Sequence, residues 1–391
     1  MKQSSSLSIV HEIMTEFSDM TGLSPAGEVP RRYLWTDAFA VCNFLELYRQ
    51  TDDDKYKNLA LLLVDQVHNV LGRHHKDDPR TGWISGLDEE EGKKHPTKGG
   101  LRIGKSMTER GPSEHFDESL EWDRDGQYFH YLTKWMHALN RVSRVTNDLT
   151  YNIWAIELAK TAHARFTYAP SSGDQKRMYW KMSIDLSRPL VESMGHHDPL
   201  DGFITYHQLQ TIIPNDSTKS QYPDLNNEIA DMASICKGKS WATDDPLGLG
   251  GLLCDSYKVT QMIASKIFEQ TELLSILLES SLVGLASYAR TNHLNLPADY
   301  RLAFRELGLS IGMRAAERLG GLIEEKPSLF KEIHSLRIHI ESLMRYTELI
   351  EVIEKFWLEP TSREASSWKD HREINMVMLA TSLAPDGFLT L

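Results

Sequence analysis

The chain has 391 residues, a net charge of −12, and 41% hydrophobic and 25% charged residues, a composition that excludes a wholly disordered or membrane-embedded protein. Its acidic balance argues against nucleic-acid binding, because phosphate contacts need a basic surface. No run of about 18 apolar residues spans a bilayer, the segment MKQSSSLSIVHEIMTEF lacks the apolar core of a signal peptide, and Cys42, Cys236 and Cys254 are spaced as reduced core thiols, so a cytoplasmic protein without disulfides or zinc is expected.

Apolar residues recur at helical spacing almost throughout, and strand-like alternation is scarce. A first helix is predicted near 7–20, then a hairpin of helices 36–50 and 54–72 whose turn, Thr51-Asp52-Asp53-Asp54, supplies N-cap groups. Residues 76–121 are rich in glycine, proline and charge, and predict a long loop that is a candidate cover for a cavity. A second hairpin follows, 125–146 and 150–166, with Asn147-Asp148 as turn and cap. A third helical pair is predicted to begin at Tyr179-Trp180, to break at Gly195-His196-His197-Asp198-Pro199, and to continue toward Ile213. Shorter loops are expected at 215–223 and 237–250, and helices at 224–237, 251–269, 272–290, 298–319, 328–356 and 371–383. About a dozen helices suffice for six hairpins if the N-terminal helix pairs with the C-terminal one. The expected fold class is therefore an all-α toroid, one domain over 1–391 sealed where its ends meet. The spacing is too irregular for a 34- or 40-residue solenoid repeat.

Gly99-Gly100-Leu101-Arg102-Ile103-Gly104-Lys105-Ser106 matches a phosphate-binding loop letter for letter. Its flanks supply neither the preceding strand nor the following helix, so no nucleotide is expected. Lys98, Arg102 and Lys105 stay as loop cations that either meet an anionic substrate or are simply solvated. The richest cluster is Trp122-Asp123-Arg124-Asp125-Gly126-Gln127-Tyr128, followed by His130 and Lys134 on one helical face. One of Asp123 and Asp125 is read as a cap and the other as a reactive group. Trp35-Thr36-Asp37 repeats the pattern at another helix mouth, with Thr36 capping and Asp37 either released for chemistry or paired with the helix dipole. Lys181, Asp185 and Arg188 after Trp180 share a face if helical, and Trp368 with His371 opens the last helix. Both aspartates of His196-His197-Asp198-Pro199-Leu200-Asp201 are read as turn and capping residues, and no metal site is expected, since adjacent histidines rarely enter one coordination sphere.

Tryptophans and acids at successive helix mouths, Trp35-Thr36-Asp37, Trp122-Asp123-Arg124-Asp125-Gly126-Gln127, Tyr179-Trp180 and Trp368, make the chain resemble the six-hairpin, (α/α)6-barrel carbohydrate-active proteins. These include glucoamylase-like and unsaturated glucuronyl hydrolases and the N-acylglucosamine 2-epimerase group. The resemblance implies a cofactor-free enzyme acting on a small or oligomeric sugar. A glycoside hydrolase would use two carboxylates, drawn from Asp125, Asp123 and Asp37, and an inverting course. Trp35, Trp122 and Trp180 would stack on sugar rings, Gln127, His130 and Arg188 would orient hydroxyls, and Tyr128 and Asp185 would join them in binding the substrate. Two alternatives stay open: an epimerase or isomerase using His130 or His371 as acid and base, and a non-catalytic binding or scaffold protein. The oligomeric state has no signature in the sequence.

Overall fold

A computed structural model describes residues 2–27, 30–171, 173, 175–212 and 222–391. With 64% helix against 4% strand, the all-α expectation holds. The described residues form two compact units, one of residues 18–237 and one of residues 1–17 with 238–391. Helix α1 (Lys2–Met20) opens the chain.

In the 18–237 unit, α2 (Leu34–Thr51) and α3 (Asp54–Leu71) form the first pair. The long connection carries two short helices, α4 (Glu89–Lys94) and α5 (Glu118–Asp123). The second pair is α6 (Phe129–Thr146) with α7 (Leu149–Phe166), and the third is α8 (Asp198–Gln210) with α9 (Asn226–Cys236). The first members pack in series, α2 on α6 and α6 on α8, each backed by its own partner. Burial follows this division: every residue from Leu34 to Leu47 of α2 is buried, whereas α3 buries a stripe of Tyr56, Ala60, Leu63, Val64, Val67 and Leu71 at amphipathic spacing. The first two pairs turn by the same device. Asp52 and Asn147 end α2 and α6 in the left-handed conformation, at φ 56° and 57°. Asp53 and Asp148 then cap the next helices by accepting the Lys55 and Thr150 N–H groups at 3.0 and 2.9 Å.

Two expected helices differ. The segment expected to be helical from Asp125 stays extended until Phe129, because Gln127–Tyr128 forms a strand, β1, antiparallel to β4 (Lys181–Met182). Between them in the chain, β2 (Thr167–Tyr168) pairs with β3 (Arg177–Met178), and β4 pairs in turn with β5 (Pro189–Val191). Residues 179–191 are thus a hairpin and not a helix, so Lys181, Asp185 and Arg188 share no helical face. The helix predicted to restart at Asp198-Pro199 is α8, which ends at Gln210, while Ile213 and most of the 215–223 loop lie outside the described residues.

The 76–121 connection is irregular, as expected, but well anchored. Leu101, Ile103 and Thr97 are fully buried, Arg102 pairs with Asp125 at 2.8 Å, and His95 contacts Glu157 at 2.7 Å. No helix follows Ser106 before Glu118, which removes the architecture a phosphate loop requires.

In the other unit, α10 (Pro246–Ala264) packs on α12 (Ala303–Glu325), and α12 on the C-terminal helix Arg372–Leu383. Helices α11 (Thr271–Tyr288), α13 (Ile333–Met344) and α14 (Glu348–Leu358) back them. The single helix predicted over 328–356 is broken between Met344 and Glu348. A Cβ on Gly250 would lie 2.0 Å from the Gly308 carbonyl oxygen, so the close approach of α10 and α12 depends on glycine. From α1, Val10, Met14 and Phe17 are fully buried, and Glu16 pairs with Arg372.

Candidate active site

The N-terminal ends of α2, α6 and α8 converge on one cluster. The α2 end contributes Tyr33 and Trp35, the α6 end Tyr128, His130, Tyr131 and Lys134, and the α8 end Asp198 and Asp201. The β3–β4 connection adds Trp180. His130 is half-buried at the centre, with the Tyr131 ring edge-on at 4.9 Å, the Tyr128 ring at 5.3 Å, Trp35 at 6.1 Å and Trp180 stacked at 6.4 Å. Trp122, exposed at the end of α5, meets Trp180 edge-on at 5.1 Å. The Tyr33 and Tyr131 hydroxyls share a hydrogen bond of 2.7 Å. Of the aromatics expected at separate helix mouths, Trp35, Tyr128 and Trp180 are therefore brought together around His130, and Trp122 joins them through Trp180.

The carboxylates of this cluster are not those singled out in the sequence. Asp198, the first residue of α8, is buried and lies 3.6 Å from His130 Nδ1. Among the described residues neither its Oδ2 nor His130 Nδ1 has a hydrogen-bond partner. Burial, reinforced by the neighbouring charge of Asp201, pushes the Asp198 carboxyl up to about 8. Burial also lowers His130 to about 4, with the Lys134 cation acting in the same direction. At neutral pH this leaves a protonated acid beside an unprotonated imidazole. Asp201 Oδ2 accepts from the Thr133 hydroxyl at 2.5 Å, and both its oxygens accept from the Lys134 ammonium, at 2.8 and 2.9 Å. The two acids, three residues apart in one helical turn, thus have opposite surroundings: one enclosed without a cation in contact, one salt-bridged.

Asp37, Asp125, Gln127, Asp185 and Arg188 are engaged in holding the backbone. Asp37 Oδ2 accepts the Tyr33 N–H at 2.9 Å and Oδ1 contacts Arg32 at 3.3 Å. The α2 mouth is therefore capped by Asp37 and not by Thr36. Asp125 is fully buried, accepting from Arg102 and from the Gly104 and Gly126 N–H groups. Gln127 accepts the Leu101 N–H at 2.8 Å and donates to the Gly99 and Ile184 carbonyls. Asp185 closes the β4–β5 turn through Ser183 and Ser187 and receives Arg80 at 2.6 Å. Arg188 donates to the Arg110 carbonyl. Asp123 is exposed at the end of α5. His371 belongs to the other unit, exposed at the start of its helix with the Phe304 ring edge-on at 5.5 Å. Among the described residues no group of three or more histidine, cysteine, aspartate or glutamate side chains is placed to hold a metal, and no helix is long and apolar enough to cross a membrane.

Comparison with known proteins extends the fold. The α-1,6-mannanase GH76A from Salegentibacter sp. HEL1_6 aligns over 97% of this chain and 99% of its own at 12% identity, with a TM-score of 0.50. An inactive variant of it with two aspartates changed to asparagine, in complex with α-1,6-mannotriose, aligns over the same shares at a TM-score of 0.51. A sugar epimerase from a ruminal bacterium covers 90% of the chain and 87% of its own at 10% identity and a TM-score of 0.47. No family model matches the sequence, and no curated protein does. The resemblance to (α/α)6-barrel enzymes is one of fold.

Proposed function

We propose that this protein is a carbohydrate-active enzyme that cleaves a glycosidic bond at the α2, α6 and α8 mouths, with Asp198 as the proton donor. The observation that carries the reading is the Asp198 carboxyl: enclosed, raised to about 8, with one oxygen unpartnered at the foot of an aromatic cluster. A carboxyl kept protonated at neutral pH beside one paired with a lysine is the division of labour that glycoside hydrolysis needs. As the bond from the anomeric carbon to the leaving oxygen breaks, that oxygen takes the Asp198 proton. The Asp201 charge favours the positive charge developing on the sugar. Water adds to the anomeric carbon and returns a proton to Asp198. Trp35, Tyr128 and Trp180 offer faces for the apolar side of a sugar ring. On this reading the acid pair is Asp198 and Asp201, and Asp37 and Asp125 serve the backbone and its arginines. The fold likeness to an α-1,6-mannanase supports mannose-containing oligosaccharides as the first substrates to try.

The test is Asp198→Asn against α-linked manno-oligosaccharides. Turnover should fall by about 10²–10⁴-fold, the usual worth of a positioned acid, while sugar binding persists. Full activity of the variant would overturn the assignment. A second reading, epimerisation, is favoured by one observation: His130 is unprotonated with an unpartnered Nδ1 next to an acid. Solvent deuterium appearing at C2 of a reducing sugar, and lost in His130→Ala, would select it over hydrolysis.

A further inference from the structure

A cavity of about 220 Å³ lies between α3, α7 and the connection that carries α4. Trp83, Tyr151 and Trp154 wall it, and its most buried polar group is His68, 3% exposed. The rings are held in place. The Trp154 indole N–H donates to the Lys94 carbonyl at 2.8 Å, the Arg73 guanidinium lies over Trp83 at 4.3 Å, and Tyr151 stands edge-on to Trp154 at 5.3 Å. His68 carries its proton at a fixed atom. Its Nε2 accepts the Trp135 indole N–H at 3.2 Å, and an indole only donates. Burial lowers the imidazole to about 3, so at neutral pH its one proton sits on Nδ1. Among the described residues no hydrogen bond engages that Nδ1, and the ring lines the cavity. A buried donor is thus presented to whatever enters. At the rim, the Asn69 amide donates to Asp65 Oδ1 at 3.1 Å and to the Asp65 carbonyl at 3.0 Å, which leaves Asp65 Oδ2 and Asn69 Oδ1 as acceptors.

This lining discriminates between classes of ligand. A cation gains from the rings and from Asp65 but meets an N–H donor at the bottom. An anion meets Asp65, and Lys93 at the rim is already paired with Glu89 at 3.3 Å. A wholly apolar ligand leaves the His68 donor unanswered. A neutral ring bearing hydroxyls answers every group: one hydroxyl accepts from Nδ1–H, others donate to the rim acceptors, and the C–H face lies on an aromatic wall. The volume sets the number of rings, since about 150 Å³ is enough for benzene and about 300 Å³ is the lower end for larger ligands. We propose that this cavity is a second, non-catalytic site that binds a single neutral pyranose residue between Trp83, Tyr151 and Trp154, apart from the α2, α6 and α8 mouths. The assignment makes no use of Asp198, so it stands or falls independently of the hydrolase reading.

Proton–nitrogen correlation spectra of the full chain, titrated with methyl α-mannoside, methyl α-glucoside, benzyltrimethylammonium and benzoate, test this. The Trp154 indole signal, identified by its loss in Trp154→Phe, should shift saturably with at least one of the two glycosides, in the native protein and in Asp198→Asn alike. In the double variant Asp65→Ala with Asn69→Ala, which alters only the rim, the affinity read from that signal should fall by at least about tenfold, the scale of a lost hydrogen bond to a charged group. A Trp154 signal that neither glycoside moves, or an affinity unchanged in the double variant, overturns the assignment. A shift lost in Asp198→Asn also overturns it, by returning the sugar to the helix mouths. Tighter binding of benzyltrimethylammonium or benzoate than of either glycoside overturns it in favour of a charged ring.

Discussion

Asp198 has a glycine at its back: a Cβ on Gly195 would lie 2.4 Å from Oδ2 and 2.6 Å from Oδ1. Gly195→Ala therefore has to displace the carboxyl, and we expect turnover to fall with little change in melting temperature, measured side by side. The raised pKa also has a thermodynamic signature. Between its ordinary value near 3.8 and the folded value of about 8, the folded chain keeps a proton that the unfolded chain has released, so stability falls as pH rises through that window and the loss is complete above about 8. His130 works in a different window. Its folded value of about 4 lies below the ordinary 6.5, so stability is lost on acidification from about 6.5 to 4. Asp198→Asn removes the first effect alone. Its melting temperature should exceed that of the native protein at pH 9 by at least about 2 °C, and a curve parallel to native from pH 5 to 9 would contradict the buried acid. Asp125→Asn has the opposite meaning. It strips the partner from Arg102 in a buried pair, so a loss of about 3–5 kcal/mol is expected in denaturant unfolding. The aromatic half of the site was legible because tryptophan and tyrosine at a helix mouth stand out as types. The acidic half was not. In HDPLDG the proline forces a helix start, and acids there have a sufficient explanation as caps. Only the missing partner of Asp198 Oδ2, a tertiary fact, separates it from Asp125.

At the scale of elements, the hairpins of 34–71 and 129–166 could be read from the chain because their turns carry local chemistry, an αL residue followed by an aspartate cap. The 179–191 segment could not. Lys181, Asp185 and Arg188 fall at helical spacing, but Lys181 is drawn into the sheet by pairing with Tyr128, 53 positions earlier by the register of β1 and β4, which no local pattern encodes. The same pairing delays α6 to Phe129 and so takes Asp125 and Gln127 off the helix. Gly126 makes the junction possible: its φ is 149°, and an added Cβ would lie 2.8 Å from the Met182 carbonyl oxygen. Gly126→Ala should loosen β1 from β4 and, through Tyr128 and Trp180, the aromatic cluster. Faster amide exchange at residues 127–128 and 181–182, with α3 and α7 unchanged, is the expected reading.

For the molecule as a whole, the all-α class was accessible because helical periodicity pervades the chain, and the (α/α)6 likeness appears in fold comparison at 12% identity, where sequence matching finds nothing. Helix α1 is expected to be a structural member of its unit. Phe17 is fully buried, so Phe17→Ala should cost about 3–5 kcal/mol, whereas Glu16→Gln, which removes only an exposed pair with Arg372, should change stability by less than about 1 kcal/mol. The long connection between the first two pairs carries a kinetic consequence. Arg80 gathers Asp78, Glu109 and Asp185, Arg102 grips Asp125, and Arg110 reaches Glu121, so the segment is riveted at intervals and is expected not to swing. A visiting ligand then meets a doorway already framed, and its capture should proceed in one concentration-dependent phase, without the saturating second phase that a closing flap imposes.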